Sequence, residues 1–150
     1  RTAAGLQRLV SLALDQRVPV RIREFSPRWI DVKGVAALGR GAVLGTNALL
    51  GRRVLDRSSA VTVVIGPVDT ARYESLLPGG GDHRRLCALI DEYCGPTLHY
   101  DIEIRIAATR LRSAALGTGG GTLGRTLVIG TPPATSGEGG GVVYRYVRAA

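Results

Sequence analysis

Strict alternation of apolar and polar residues over residues 98–106 constrains the fold of this chain more than any other feature. Every second side chain of LHYDIEIRI is large and apolar, whereas the residues between them are polar or charged. A period of two is that of a β-strand with one buried and one solvent-facing side. The apolar positions are Leu98, Tyr100, Ile102, Ile104 and Ile106. The chain is therefore expected to contain a sheet with one buried face, and this strand should contribute to the core.

Further elements are expected in the N-terminal half. Apolar residues at helical spacing predict an amphipathic helix over residues 3–15, and Pro19 ends any helix at that point. The next residues, VPVRIREF, alternate as a half-buried strand does, with arginines on the polar side. The β-branched run over residues 60–68 predicts another strand, which Gly66 and Pro67 should stop.

Two helices are expected after that strand. Asp69 is a suitable N-cap for a short helix in TARYESLL. Asp82 is expected to cap a second helix over residues 83–94, which Gly95 should end.

Two glycine-punctuated segments, here called arm one and arm two, interrupt these elements. Arm one, residues 38–51, is LGRGAVLGTNALLG, with a Leu-Gly pair every six residues. Arm two, residues 116–130, is LGTGGGTLGRTLVIG, with five glycines between Gly117 and Gly124. Glycine lets a backbone turn and approach another chain without Cβ clashes. A β-branched segment ending in Ile-Gly closes each half, so the order helix, strand, arm, strand occurs twice.

This repeated order predicts an α+β fold of internally duplicated helix–strand–glycine-rich arm–strand units with antiparallel strands. The halves also correspond residue by residue, as Leu9 does to Leu86 and Leu38 to Leu116. The expected domains are one domain over 1–130, with repeats at 2–66 and 82–130 and a helical connector at 67–81, a Pro/Gly-rich linker at 131–141, and a terminal strand at 142–150.

Charge and cysteine content bound the possible partners. The formal net charge is +8, and all but one of the twenty basic residues are arginine. Such a balance suits nucleic acid, an anionic membrane or an acidic protein face. The arginines are dispersed, so nucleic-acid binding is an alternative rather than the main expectation. No apolar run reaches the roughly 18–20 residues of a membrane span. Two cysteines make no disulfide scaffold, which fits a reducing compartment.

Arm two imitates a phosphate-binding loop. Gly119, Gly121 and Gly124 spell G-x-G-x-x-G, and Arg125 stands where a P-loop has lysine. Both motifs require a following helix whose N-terminus binds the phosphates, whereas TLVIG predicts a strand. We therefore expect no nucleotide cofactor. The six-residue spacing of arm one resembles the hexapeptide repeats of left-handed β-helices, but three copies make a single coil without neighbours to bury its core.

Metal and catalytic sites are not expected either. The spacing of His83, Cys87, Cys94 and His99 fits no common zinc motif. On the polar side of the 98–106 strand, Asp101 and Glu103 lie near His99 and Arg105, and these side chains could form an acid–base cluster. An exposed strand face with charges of both signs is the simpler interpretation. The sequence thus indicates neither a metal site nor an enzyme.

Five stretches taken together resemble the C-terminal half of the TssG (ImpH/VasB) family of type VI secretion baseplate subunits. They are LGRGAVLG…LGRRVLD, VVIGPV, LLPGG, GPTLHYDIEI and LGRTLVIG, in this order, over roughly residues 2–130. The family's first arm typically ends Val-Trp-Asp, where this chain has Val54, Leu55 and Asp56. Its second arm usually has Leu-Gly-Trp, where here Arg125 follows Gly124. The family's chains are longer, which implies that an N-terminal half is missing from this sequence.

The resemblance implies a structural scaffold without enzymatic activity or cofactor. TssG joins TssF and TssE in a wedge of the baseplate and contacts the trimeric adaptor TssK, in the cytoplasm at the inner face of the membrane through the secretion complex. The expected partners are therefore these three proteins in a hetero-oligomer, without nucleic acid or direct membrane insertion. If the arms are duplicated, each should dock one adaptor trimer. The expected partner-binding residues are Leu38, Gly39, Leu44, Gly45, Leu50, Gly51, Val54, Leu55, Leu116, Gly117, Gly121, Leu123, Gly124 and Arg125.

Overall fold

The computed structural model describes residues 2–33, 41–43, 45–46, 51–106 and 143–147. Within these ranges the chain forms three α-helices and six β-strands, an α+β fold as expected. In chain order they are α1 (Ala3–Ala13), β1 (Val20–Arg23), β2 (Arg28–Asp31), β3 (Arg53–Asp56), β4 (Ala60–Val68), α2 (Thr70–Leu76), α3 (Gly81–Cys94), β5 (His99–Ile106) and β6 (Val143–Val147).

Four strands form the main sheet, in the order β1-β4-β5-β6. β1 pairs with β4 and β6 pairs with β5 in antiparallel fashion, whereas β4 and β5 are parallel. The expectation of antiparallel strands is therefore wrong for the central pair. The reason is the connection: α2 and α3 lie between β4 and β5, and a helical crossover returns the chain to the end of the sheet where β4 began.

The core lies on one face of this sheet. Leu6 and Val10 of α1 and Leu86 and Ile90 of α3 belong to the same buried cluster as the inward residues of β4 and β5. The predicted face of the 98–106 strand is confirmed, because its last four apolar residues are buried and Leu98 packs half-buried against them. The inward residues of the two central strands are Val61, Val63, Ile65, Val68, Tyr100, Ile102, Ile104 and Ile106.

Helix ends follow the sequence signals in two of three places. Asp69 caps α2, and its Oδ1 accepts a hydrogen bond of 2.8 Å from the Arg72 backbone N–H. Gly95 ends α3 with φ +72°. The expected cap by Asp82 is wrong, because α3 begins two residues earlier than predicted and Gly80 is its N-cap. The Asp82 carboxylate instead accepts a hydrogen bond of 2.7 Å from the Ser75 hydroxyl, which ties α3 to α2.

Glycine is required where β4 passes β5. Gly66 has φ +115°, and a Cβ there would lie 2.3 Å from the Arg105 carbonyl oxygen. The pairing of β4 with β5 shifts register between Ile65 and Val68. Gly66 and Pro67 thus form an irregularity within the strand and do not stop it, contrary to expectation, because the bulge lets pairing resume at Val68.

Candidate partner-binding ribbon

A second, two-stranded sheet stands apart from the main one and is the candidate site. β2 and β3 pair antiparallel, with Trp29 opposite Leu55 and Ile30 opposite Val54. A further backbone bond of 2.8 Å, from the Val32 N–H to the Arg52 carbonyl, extends the ladder by one step. Arm one lies between these strands in the chain, so this ribbon, here called the arm-one ribbon, carries arm one at its far end.

Each face of the arm-one ribbon exposes an apolar pair at its centre. Successive side chains of a strand point to opposite sides, and residues directly opposite each other share a side. Trp29 and Leu55 therefore lie on one face, with 62% and 40% of their surfaces exposed. Ile30 and Val54 lie on the other, at 39% and 40%. On the central strands β4 and β5 of the main sheet, large apolar residues are buried, whereas the ribbon offers them on two contact faces.

Charged residues surround these apolar pairs. The Nε atom of Arg53 donates to Asp31 Oδ1 at 2.8 Å, between two largely exposed side chains. Such an exposed ion pair contributes little stability, of the order of 0–1 kcal/mol. Residues 28–33 and 52–57 hold five basic and two acidic residues, an excess of three positive charges. The ribbon is therefore a basic element with apolar side chains on both sides.

The first strand of the ribbon is fixed to the main sheet through Ser26. This residue is buried, its backbone N–H donates to the Ala60 carbonyl at 3.0 Å, and its hydroxyl lies 2.6 Å from the Thr62 hydroxyl. The turn before it runs through Phe25, whose φ is +56° and whose ring is exposed. These bonds hold the start of the ribbon against β4.

The second strand is fixed through Asp56. Its carboxylate accepts hydrogen bonds from the backbone N–H and hydroxyl groups of both Ser58 and Ser59. The Ser59 hydroxyl, then the Ser58 hydroxyl, hold the pKa of Asp56 well below its usual range. The Ser59 carbonyl in turn accepts a bond of 2.8 Å from the His99 N–H at the start of β5. Both strands of the ribbon are therefore anchored, at the base of the ribbon, to central strands.

Four of the expected partner-binding residues fall within the described part of the chain. Gly45 and Gly51 have φ values of +82° and +93°, and the Thr46 N–H closes a turn around Gly45 onto the Val43 carbonyl at 3.1 Å. Val54 and Leu55 lie on β3, on opposite faces of the ribbon. The other ten lie outside the described residues: Leu38, Gly39, Leu44, Leu50, Leu116, Gly117, Gly121, Leu123, Gly124 and Arg125.

Sequence reasoning missed both strands of the ribbon, β2 and β3, and with β2 the residues Trp29 and Ile30. A signal was present, because RWID at residues 28–31 and RVLD at residues 53–56 share the pattern Arg, two apolar residues, Asp. Antiparallel pairing of such segments places each arginine opposite the aspartate of the other strand, which is the register observed.

The residues weighed for metal binding and catalysis have other roles. His83 is buried, with Nδ1 3.0 Å from the Leu76 carbonyl oxygen and Nε2 3.5 Å from the Cys87 sulfur. Burial lowers the pKa of His83. Among the residues that the structure describes, no group of three or more His, Cys, Asp or Glu side chains is placed to hold a metal ion. Nor is any helix in that part of the chain long and apolar enough to cross a membrane.

Glu103 corrects the interpretation of the polar strand face as exposed. Its side chain is buried and accepts hydrogen bonds from Arg23 at 2.5 Å and from Arg105 at 2.8 Å. Burial opposes ionisation of this carboxyl, but the bonds and charges of the two arginines outweigh it and hold the pKa of Glu103 below its usual value. Because Arg23 is on β1 and Glu103 on β5, the ion pair bridges across β4.

Comparisons with known proteins identify one family model and two solved structures of similar fold. The family model described as type VI secretion, TssG, matches residues 1–130. One solved structure, the type VI secretion system TssK-TssF-TssG baseplate subcomplex, contains a chain 24% identical with a TM-score of 0.70, covering 99% of this chain and 64% of that one. The baseplate complex from the type VI secretion system contains another, 23% identical with a TM-score of 0.56, covering 99% and 41%.

These two structures bear on the fold. At such identities, structural likeness shows shared architecture alone. This chain spans less than two thirds of the length of each matched chain. A comparison with curated proteins gave no match.

Proposed function

The chain belongs to the TssG family of type VI secretion, and from this premise we propose that it is a structural scaffold subunit of the baseplate wedge. In this role it bridges TssF and TssE to the TssK adaptor as part of a hetero-oligomer. The likeness to chains of a TssK-TssF-TssG subcomplex and of a baseplate complex supports this assignment. The role is structural rather than enzymatic, and its place is the cytoplasm, at the inner face of the membrane through the secretion complex.

One observation carries the proposal: the arm-one ribbon exposes apolar side chains on an element whose two strands are both anchored to the main sheet. Large apolar and aromatic residues in such positions are typical anchors of protein interfaces. In this proposal, the ribbon and the arm at its far end dock one TssK trimer. Arm two, which follows β5 in the chain, docks a second trimer.

Co-purification with the three expected partners tests the docking role. Leu55→Asp should remove one TssK trimer, because it places a charge at the centre of an apolar contact face. Leu12→Asp is the matched control, since Leu12 is also an exposed leucine but lies on α1. Native mass spectrometry would count the trimers. Two bound trimers in a folded Leu55→Asp variant would contradict docking through the ribbon, as would loss of a trimer in both variants.

For arm two, the corresponding change is the pair Leu116→Asp and Leu123→Asp. We expect loss of the other trimer, leaving the trimer at arm one in place. A complex that keeps both trimers after this change would limit docking to a single arm.

We also propose that the two halves, residues 2–66 and 82–130, are repeats joined by the connector 67–81. In support, α1 precedes β1 and α3 precedes β5, and both helices reach the same core. The predicted second return strand, residues 125–130, lies outside the described residues, and β6 occupies the edge of β5 opposite β4. An experimental structure of the complete chain would test the repeat by superposing α1–β1 on α3–β5. Arm two should then fall where arm one does, and any other placement contradicts the duplication.

A further inference from the structure

Each side of the arm-one ribbon exposes an apolar pair to water. In a ribbon that docks with one face alone, the other face remains in water and is expected to be polar at its centre as well as at its ends. Here the central pair on each face is apolar, Trp29 with Leu55 on one and Ile30 with Val54 on the other. All four side chains are at least 39% exposed. A two-stranded ribbon is at best marginally stable in water unless something packs against it.

The charges of the ribbon limit what can cover it. Of its two carboxylates, Asp31 binds Arg53 and Asp56 binds two serines, so neither neutralises Arg52, Arg57 or Lys33. A second copy of this chain would bring the same positive excess, and like charges across an interface cost several kcal/mol. A partner with carboxylates around the contact would gain both attraction and faster association.

The anchored base of the ribbon matters for the same reason. The bonds of Ser26 to β4 and of the Asp56 loop to β5 hold both strands before any partner arrives. An element fixed in this way loses little conformational entropy on binding. Its orientation relative to the main sheet is fixed, and both faces are accessible to a partner at the same time.

We propose that the arm-one ribbon inserts into a two-walled cleft of its partner, with apolar walls against both faces and an acidic rim. Trp29 and Leu55 contact one wall, and Ile30 and Val54 contact the other. The inference rests on the proposed docking function and adds to it the shape and charge of the surface that receives the ribbon.

Photo-crosslinking of the assembled complex tests the two walls. In the complete chain, co-expressed with the baseplate subunits, p-benzoylphenylalanine replaces the residue at position 54 in one variant and at position 55 in another. These neighbours share a strand and point to opposite faces. We expect both to crosslink the same kind of partner at different peptides. A variant labelled at position 12 serves as the control that should not give these products.

The outcomes separate the inference from the proposed function. Crosslinks from one position alone would overturn the two-walled cleft and leave docking intact. No crosslink from either position in an assembled complex would overturn docking through the ribbon altogether. Products joining the ribbon to this chain's own residues 107–142, or to a second copy, would identify a different cover and also overturn the cleft.

Affinity measurements give a second readout. Val54→Ser and Leu55→Ser should each weaken binding of the complete chain to TssK about tenfold, which is the effect expected for loss of a moderate interface anchor. The double variant should weaken it about a hundredfold, because contacts on opposite faces add. If one single variant binds like the parent, only one face is in contact.

The rim is tested by salt dependence. Arg52→Glu should slow association and flatten its dependence on ionic strength, whereas Arg17→Glu, at the turn after α1, should leave both unchanged. Equal effects of the two changes would show a general charge effect and contradict an acidic rim.

Discussion

β3 and β4 are separated by three residues, yet their apolar side chains have opposite surroundings. Val63 and Ile65 of β4 are fully buried between the helices and the neighbouring strands, whereas Val54 and Leu55 of β3 remain 40% exposed. Both strands are rich in residues that favour β-structure. The difference teaches that apolar residues in the main sheet stabilise this chain, while those of the ribbon are available to a partner. Substitutions should therefore separate stability from binding according to the sheet they touch.

The largest effect should come from Ile104→Asp. Ile104 is fully buried, with its neighbour Ile65 opposite on β4. An unpaired carboxylate there would be desolvated without compensation, at a cost comparable to the whole stability of a small domain. We expect the cooperative thermal transition to disappear, as followed by circular dichroism. The control, Ile104→Val, should cost only about 0.5–1.5 kcal/mol. If the Ile104→Asp variant stayed folded, the apolar face of β5 would be exposed to solvent, and the contrast between the main sheet and the ribbon would be wrong.

Glu103→Gln should have the next largest effect, on stability and its pH dependence. Removing the charge breaks the bridge to Arg23 and Arg105 at a cost of about 1–2 kcal/mol, less than for a fully buried pair because both arginines are partly exposed. The pKa of Glu103 is depressed in the folded state. Its contribution is therefore complete above the unfolded value of about 4.3 and is lost as pH falls below it.

Chemical denaturation at pH 7 and at pH 3 measures this contribution. The variant should lose less stability on acidification than the parent does. The variant should still lose some stability on acidification, because the pKa of Asp56 is also held low. If both proteins lost the same stability between pH 7 and pH 3, the Glu103 carboxyl would titrate normally and the outer face of the sheet would be open to water.

Ser26→Ala should cost about 1 kcal/mol, because it leaves the buried Thr62 hydroxyl without its Ser26 partner. The double variant Ser26→Ala, Thr62→Val should recover part of that loss, since both polar groups are then removed. A double-mutant cycle by urea denaturation gives the coupling. Purely additive losses would show that the two hydroxyls do not interact, and would remove this anchor between ribbon and sheet.

The smallest effect on stability should come from the ribbon. Trp29→Ser should change the free energy of unfolding by less than about 1 kcal/mol, since most of the side chain is already exposed. The same change should weaken partner binding clearly, because exposed tryptophans are frequent interface anchors. Thermal denaturation and a binding titration of the same sample compare the two. A large loss of stability would place Trp29 with the core residues and end the distinction between the sheets.

The main sheet was predictable because its signals are local and regular. The alternation in residues 98–106 defined the buried face of β5, and the β-branched run 60–68 matched β4. Asp69 begins α2 as its N-cap and Gly95 ends α3, as their sequence positions predicted. Asp82 does not cap α3, because the turn between α2 and α3 depends on Gly80, where a Cβ would lie 2.1 Å from the Ser75 carbonyl oxygen. The need for glycine at position 80 comes from this contact with the preceding helix, which the pattern of apolar and polar residues does not indicate.

The ribbon was harder to predict because the apolar residues of RWID follow neither the two-residue period of a half-buried strand nor the 3.6-residue period of a helix. Its two apolar residues are adjacent and point to opposite faces, so neither an amphipathic strand nor a helix is indicated. The burial of Glu103 was missed for a related reason. The alternation places its side chain on the outer face of the sheet, which is usually exposed. Here Arg23 and Arg105 lie on that face and bind the carboxylate, so it is buried and paired. The parallel pairing of β4 with β5 likewise depends on how two helices return the chain.

The attachment of the ribbon also determines how this molecule would carry mechanical load. The ribbon leaves the sheet between Arg23 and Ala60, which are the neighbouring ends of β1 and β4. Tension on it therefore pulls along two strands at once, and β4 is hydrogen-bonded to neighbours on both sides. Backbone bonds between β4 and β5 would be loaded together, in shear, and not opened one after another from an end. The bridge from Arg23 to Glu103 adds a tie across the same strands, so a pull at the ribbon spreads through the sheet to β5.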